Sequence, residues 1–189
     1  MVRIVVIDNG GQWTHREWRM LRDLGVDTEI KPNTTPLDEL DVDGLILSGG
    51  APRVGLDDTL GVCDTYLDQA SFPILGICAG HQFMARHFGG DADAAGTPEF
   101  GRTELILNEG VEQDDLLAGL PEKSTVWESH NDEVTVVPEG FEVLAHSKDC
   151  EVQAMRHTER PLYGLQFHPE VSDTEFGERI FQNFIDLCK

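Results

Sequence analysis

Strand-like runs alternate with helix-like segments through the first half of the chain, and this alternation constrains the fold more than any other feature. Residues 2–7 are a short, β-branched apolar run, as expected of a strand buried on both faces. Asp8-Asn9-Gly10-Gly11 forms a turn, and residues 12–24 follow with Trp18, Leu21 and Leu24 at helical spacing and Gly25 as a stop. Further strands are expected at 26–30, 44–47 and 74–77, and a helix at 59–70. Thr35-Pro36 fits an N-cap followed by proline in the first turn. Repeated strand–helix units predict an α/β fold, a parallel sheet with helices on both faces and right-handed crossovers.

The second half changes character. Short strands are expected at 102–107, 125–128, 142–145, 151–155 and 163–167, several of them antiparallel. Helical spacing returns at 174–187, where Phe176, Ile180, Phe181, Phe184 and Ile185 make one apolar face, read as core. There is no internal repeat and no low-complexity stretch, so the reading is one domain over 1–189.

Chemistry concentrates where the fourth strand ends. Gly76-Ile77-Cys78-Ala79-Gly80-His81-Gln82 places a cysteine between glycines at a strand-to-helix turn. Such a bend exposes a nucleophile, and the helix start beyond it favours the reactive thiolate. His168-Pro169-Glu170 follows another apolar run, and cysteine, histidine and carboxylate are the parts of a thiol acyl-transfer triad. Taken singly, each of these residues is more often a packing or surface group. Ligands gather at the carboxyl ends of parallel strands, so the Gly49-Gly50 loop, Cys78 and His168 are expected at one edge of the sheet.

Composition narrows the classes. The 35 acidic residues against 14 basic ones give a net charge of −21, spread along the chain, which repels nucleic-acid phosphates. The simplest account is adaptation to a salt-rich cytoplasm, where ions screen the self-repulsion. No apolar run is long enough to span a membrane, and no signal-peptide pattern opens the chain, so a cytoplasmic location is expected. Cys63, Cys78, Cys150 and Cys188 form no CxxC pair, so no metal site is expected.

The cysteine motif, paired with Gln166-Phe167-His168-Pro169-Glu170, resembles the class I glutamine amidotransferases, and the resemblance covers essentially the whole chain. Ser48-Gly49-Gly50 matches the family's loop facing the nucleophile. Four stretches resemble in particular the glutaminases that serve GMP synthetase as separate, archaeal-type subunits. They are Asp8-Asn9-Gly10-Gly11-Gln12, Pro32-Asn33-Thr34-Thr35-Pro36, Ser129-His130-Asn131-Asp132-Glu133-Val134 and His168-Pro169-Glu170-Val171. The resemblance implies a flavodoxin-like three-layer sandwich and release of ammonia from glutamine. Cys78 would be the nucleophile, His168 the base and Glu170 its orienting partner. Backbone N–H groups of Gly50 and Ala79 would form the oxyanion hole, and Gln82, Ser129 and His130 would grip the amino-acid end of glutamine. No role falls to His15, His81, His87, His146 or His157. No cofactor is implied for this chain, while ATP and Mg are implied for an ATP-pyrophosphatase partner that adenylates XMP.

The chain departs from the family pattern at Ala51, where proline usually follows the two glycines, at Ala79, often larger, and at Asp173, often histidine. The glutaminases of anthranilate and aminodeoxychorismate synthases, and a catalytically inert regulatory homologue, remain as alternatives.

Overall fold

The computed structural model describes residues 1–50, 60–111 and 115–189. The alternating half folds as expected except between its second and third strands, where a 3₁₀ turn stands in place of the helix expected after Thr35-Pro36. Strands β1 (Arg3–Asn9), β2 (Asp27–Pro32), β3 (Gly44–Gly50) and β4 (Ile74–Ile77) are joined through helices α1 (Thr14–Asp23) and α2 (Cys63–Gln69) and a short 3₁₀ turn (Leu37–Glu39). Helix α3 (Ala79–His87) leaves β4 directly. Then come β5 (Asp91–Leu107), β6 (Lys123–Val136), β7 (Phe141–His146), β8 (Ala154–His157), β9 (Leu162–Leu165) and α4 (Gly177–Leu187).

The nine strands among the described residues join one sheet in the order β2-β1-β3-β4-β9-β8-β7-β5-β6. The strands from β2 to β9 pair in parallel, and those from β9 to β6 pair antiparallel. The parallel half is buried on both faces, which is why its strands read as unbroken apolar runs. Ile4, Val6, Ile46, Leu75 and Ile77 pack under α1 and α4, against Leu21, Ile180, Phe181 and Phe184. On the other face, Val5, Ile7, Leu45, Leu47 and Ile74 pack against α2 and α3 through Tyr66, Leu67, Phe83 and Met84. Helix, sheet and helix make the three layers, and the stripe on α4 is core as read. No helix among the described residues is long and apolar enough to cross a membrane.

The antiparallel half differs from expectation in extent. β5 and β6 run 17 and 14 residues, far beyond the segments 102–107 and 125–128. The early part of β5, Asp91-Ala92-Asp93-Ala94-Ala95-Gly96-Thr97-Pro98, lacks the usual strand composition. Its pairing tolerates this through a register shift between Ala94 and Glu99, which accommodates Pro98. The strand expected at 151–155 is displaced to β8, because Ser147 N–H bonds the Cys150 carbonyl and turns the chain there. Thr35 is not a helix cap: its hydroxyl donates back to the Pro32 carbonyl at 2.8 Å, and the 3₁₀ turn has no side-chain cap. Helix α2 starts at Cys63, and the start expected at Thr59 lies outside the described residues, as do Ala51 and Pro52.

Candidate active site

Cys78 occupies the junction of β4 and α3 with φ 52° and ψ −105°, the one non-glycine positive φ among the described residues. A conformation of this kind costs about 1–3 kcal/mol and persists only where the surroundings hold it. Here Cys78 N–H donates to the Leu165 carbonyl at 2.8 Å, and the Cys78 carbonyl accepts from Gln82 N–H at 3.0 Å. The flanking glycines serve close packing. A Cβ on Gly76 would stand 2.7 Å from the Gly80 carbonyl carbon, and one on Gly80 would run into the Leu47 carbonyl. Helix and sheet meet backbone to backbone, and Cys78 is the residue left to make the bend.

His168 follows β9, the parallel neighbour of β4, so both strands deliver their residues to the same edge of the sheet. The His168 N–H donates to the Trp127 carbonyl at 2.9 Å, and its carbonyl accepts the Thr174 hydroxyl at 2.7 Å. The Nδ1 side of the ring meets Glu170 Oε1 at 2.6 Å, which leaves Nε2 to face the cysteine. The Trp13 ring stands edge-on to the imidazole with centroids 4.6 Å apart. Burial works against a charged imidazole, but the Glu170 charge and hydrogen bonds to Cys78 and Glu170 outweigh it. The pKa of His168 therefore lies well above its ordinary value. Gly49 lies between base and thiol, where a Cβ would stand 3.4 Å from His168 Cε1 and 3.5 Å from Cys78 Cβ. Around the thiol, Gln166 Nε2 approaches Sγ at 3.6 Å and Sγ points to the Ser129 carbonyl at 3.9 Å.

These groups border a cavity of about 230 Å³, lined also by Gly49, Gly50, Ser129, Glu17 and the turn at 10–14. Ala79 is the first residue of α3, so its N–H has no acceptor within the helix and sits at the positive end of the dipole. A thiol, an imidazole paired to a carboxylate, and backbone donors around one cavity are the parts needed for acyl transfer through a thioester.

Residues 5–187 match the model of the family glutamine amidotransferase class-I. The chain belongs to this family. Its relatives include a glutamine-hydrolysing GMP synthase subunit of Thermoplasma acidophilum, 51% identical over 100% of this chain and 94% of the relative. The Thermococcus kodakarensis protein of the same name is 47% identical over 98% of both. The crystal structure of a putative GMP synthase subunit from Thermoplasma acidophilum superposes with a TM-score of 0.93 at 51% identity, covering 100% of this chain and 94% of that one. A glutamine amidotransferase from Thermotoga maritima, 19% identical, shares the fold at a TM-score of 0.74 over 98% of this chain and 81% of that one.

In this amidotransferase, Cys78, His168, Glu170, Gly50 and Ser129 line the cavity, but Ala79, next to Cys78, and two residues expected to grip substrate do not. Gln82 is buried, with its Nε2 bonded to the Asp132 carbonyl at 2.8 Å and to Gln166 Oε1 at 3.1 Å. His130 is buried as well, with Nδ1 against the Asp132 carbonyl at 2.9 Å and Nε2 against Glu99 Oε2 at 2.8 Å. Strand alternation is the reason: Glu128, His130 and Asp132 point to the buried face of β6 and Ser129 to the other. Ligand atoms of Glu99, His130 and Cys150 lie within 4.8 Å of one another, a grouping the sequence did not suggest. Burial pushes the Cys150 thiol up, which disfavours the thiolate a metal needs, and Glu99 and His130 already bond each other. His81 is fully buried with its pKa lowered to about 3, a packing histidine beneath Gly164.

Trp13 and Glu17 line the cavity without having been anticipated. A signal existed for Glu17. It stands four residues before the core residue Leu21, so a charge falls on the buried face of α1.

Proposed function

We propose that this amidotransferase is the glutamine-hydrolysing subunit of GMP synthase, supplying ammonia for the amination of XMP to GMP. Full-length identity of about half to relatives of that name supports the assignment. The observation that carries the chemistry is Cys78, strained into the cavity, beside an imidazole whose far nitrogen is held by Glu170 at 2.6 Å.

In this reading the Cys78 thiolate adds to the side-chain carboxamide carbon of glutamine. The C–S bond forms as the carbonyl π pair moves onto oxygen. N–H groups of Gly50 and Ala79 receive that charge, each donor being worth about 3–4 kcal/mol in a transition state of this kind. The His168 imidazolium gives its Nε2 proton to the leaving nitrogen, the C–N bond breaks and ammonia departs. Neutral His168 then takes a proton from water as that water attacks the thioester. Glutamate leaves and Cys78 is restored. Glu170 holds the ring in one orientation and stabilises its charged form.

The ATP-pyrophosphatase activity, with its ATP and Mg, belongs on this proposal to a separate partner subunit, and this chain needs no cofactor. A cytoplasmic location accords with cysteines that are all free. The test is reconstitution. Glutamate release is measured for the chain alone and with its partner subunit, and GMP formation is measured with XMP and ATP from glutamine or from ammonia. Coupled GMP formation from glutamine is expected. GMP from ammonia but not from glutamine would remove the assignment, and transfer to chorismate instead would favour the anthranilate-type alternative.

A further inference from the structure

Glu17 is 1% exposed and lines the cavity beside Cys78, His168 and Glu170, yet the chemistry above gives it no part. Its Oε2 is buried with no hydrogen-bond partner among the described residues. The backbone N–H of Gly49 faces the carboxyl from the end of β3 and favours its ionised form. Thr14, one turn earlier on the same face of α1, places its hydroxyl 3.2 Å from Ser48 Oγ, and the Ser48 hydroxyl donates to the Gly49 carbonyl at 3.1 Å. The Gly49 residue is therefore held from α1 at both ends, by Glu17 at its N–H and through Thr14 and Ser48 at its C=O. The next N–H along the chain is that of Gly50.

We propose that Glu17 is a positioning residue: its carboxyl fixes Gly49 and so aims the Gly50 N–H at the oxyanion. This rests on the glutaminase reading, because only attack on an amide creates that oxyanion. The neutral acid is the form suited to the task. Burial is the largest influence on Glu17, followed by the negative charge of Glu170, and both favour the protonated form. A Cys78 thiolate acts in the same direction, while His168 and the Gly49 N–H oppose it, and the pKa of Glu17 lies well above 4.5. A neutral carboxyl accepts the Gly49 N–H through its carbonyl oxygen and adds no third negative charge near the thiolate and Glu170. Ionisation would place a charge where the oxyanion must form. Activity should therefore fall as pH rises through the raised pKa of Glu17.

The experiment compares the wild-type chain, Glu17→Gln and Glu17→Leu, each full length and with its partner subunit, in steady-state glutamate release across pH. Glutamine keeps the acceptor and cannot ionise. Its kcat should stay within about three-fold of wild type at neutral pH, and the part of the alkaline fall that Glu17 causes should be lost, leaving the limb set by His168. Leucine removes the acceptor, so kcat should drop about 10- to 100-fold with KM changed much less, as expected when an oxyanion donor is misaimed. Three results overturn the role: Glu17→Leu with wild-type kcat, Glu17→Gln as slow as Glu17→Leu, or Glu17→Gln with an unchanged alkaline limb. If Glu17→Leu does not fold, the Glu17→Gln pH profile decides alone. A wild-type complex that releases no glutamate removes the glutaminase reading and this role with it, whereas loss of the role alone leaves wild type active.

Discussion

Cys78 adopts a backbone conformation that a side chain resists, and it is held there by the Leu165 carbonyl and by the first turn of α3. Cys78→Ala should abolish glutamate release while leaving the melting temperature close to wild type, since alanine meets the same φ restriction. A glutamine-analogue electrophile should label Cys78 ahead of Cys63, Cys150 and Cys188, whose thiols burial pushes up, to about 12 at Cys63 and Cys188. Mass spectrometry of the labelled peptide checks this, and near-normal activity in Cys78→Ala would end the thioester mechanism. Glu128 offers a stability test. It is fully buried, and His130 Nε2 stands 3.5 Å from its carboxyl. Burial first, then Glu99, raises its pKa well above 4.5. Below 4.5 both folded and unfolded chains hold this proton. Above it only the unfolded chain releases it, so the protein loses stability as pH rises until the folded pKa is passed. Glu128→Gln removes this loss, so the drop in melting temperature between about pH 5 and about pH 8 should shrink. An equal drop in the variant would place the buried charge elsewhere.

Elements were legible where one kind of pattern dominated. β1, β3 and β4 are buried on both sides and read as plain apolar runs, and α4 shows its stripe. The β5–β6 ribbon was legible only in part, because its early residues pair through backbone hydrogen bonds that do not depend on apolar side chains. The meeting of α3 with β3 and β4 tests how far local geometry fixes the site. Gly80→Ala puts a Cβ against the Leu47 carbonyl, so α3 must move off the sheet and take the Cys78 bend with it. Overpacking of this kind costs about 1–3 kcal/mol. The melting temperature should fall by several degrees, at roughly 2–4 °C per kcal/mol for a chain of this length. Activity should fall further than stability accounts for. A variant with wild-type melting and turnover would show that the close approach is dispensable.

For the molecule as a whole, a net charge of −21 is the feature with the broadest consequence. Folding brings those charges together, and added salt screens them over a Debye length that shrinks from about 10 Å at 0.1 M to about 3 Å at 1 M. The melting temperature should rise from dilute to molar salt with different salts alike, and a flat or falling curve would contradict halophilic adaptation. Legible from the residues alone were the α/β alternation, the cysteine elbow with its two glycines, and the Cys78, His168 and Glu170 grouping. Each of these depends on local spacing or on a rule that puts strand ends together. Which side chains face the cavity follows from how the elements pack. Ser129 does while His130 does not, because strand register and packing set the face and a shift of one residue reverses it. The same holds for Glu17 and Trp13, which reach the site because α1 and its start pack at the end of β3, as in the contact of Thr14 with Ser48, 34 residues away, which local sequence pattern does not encode.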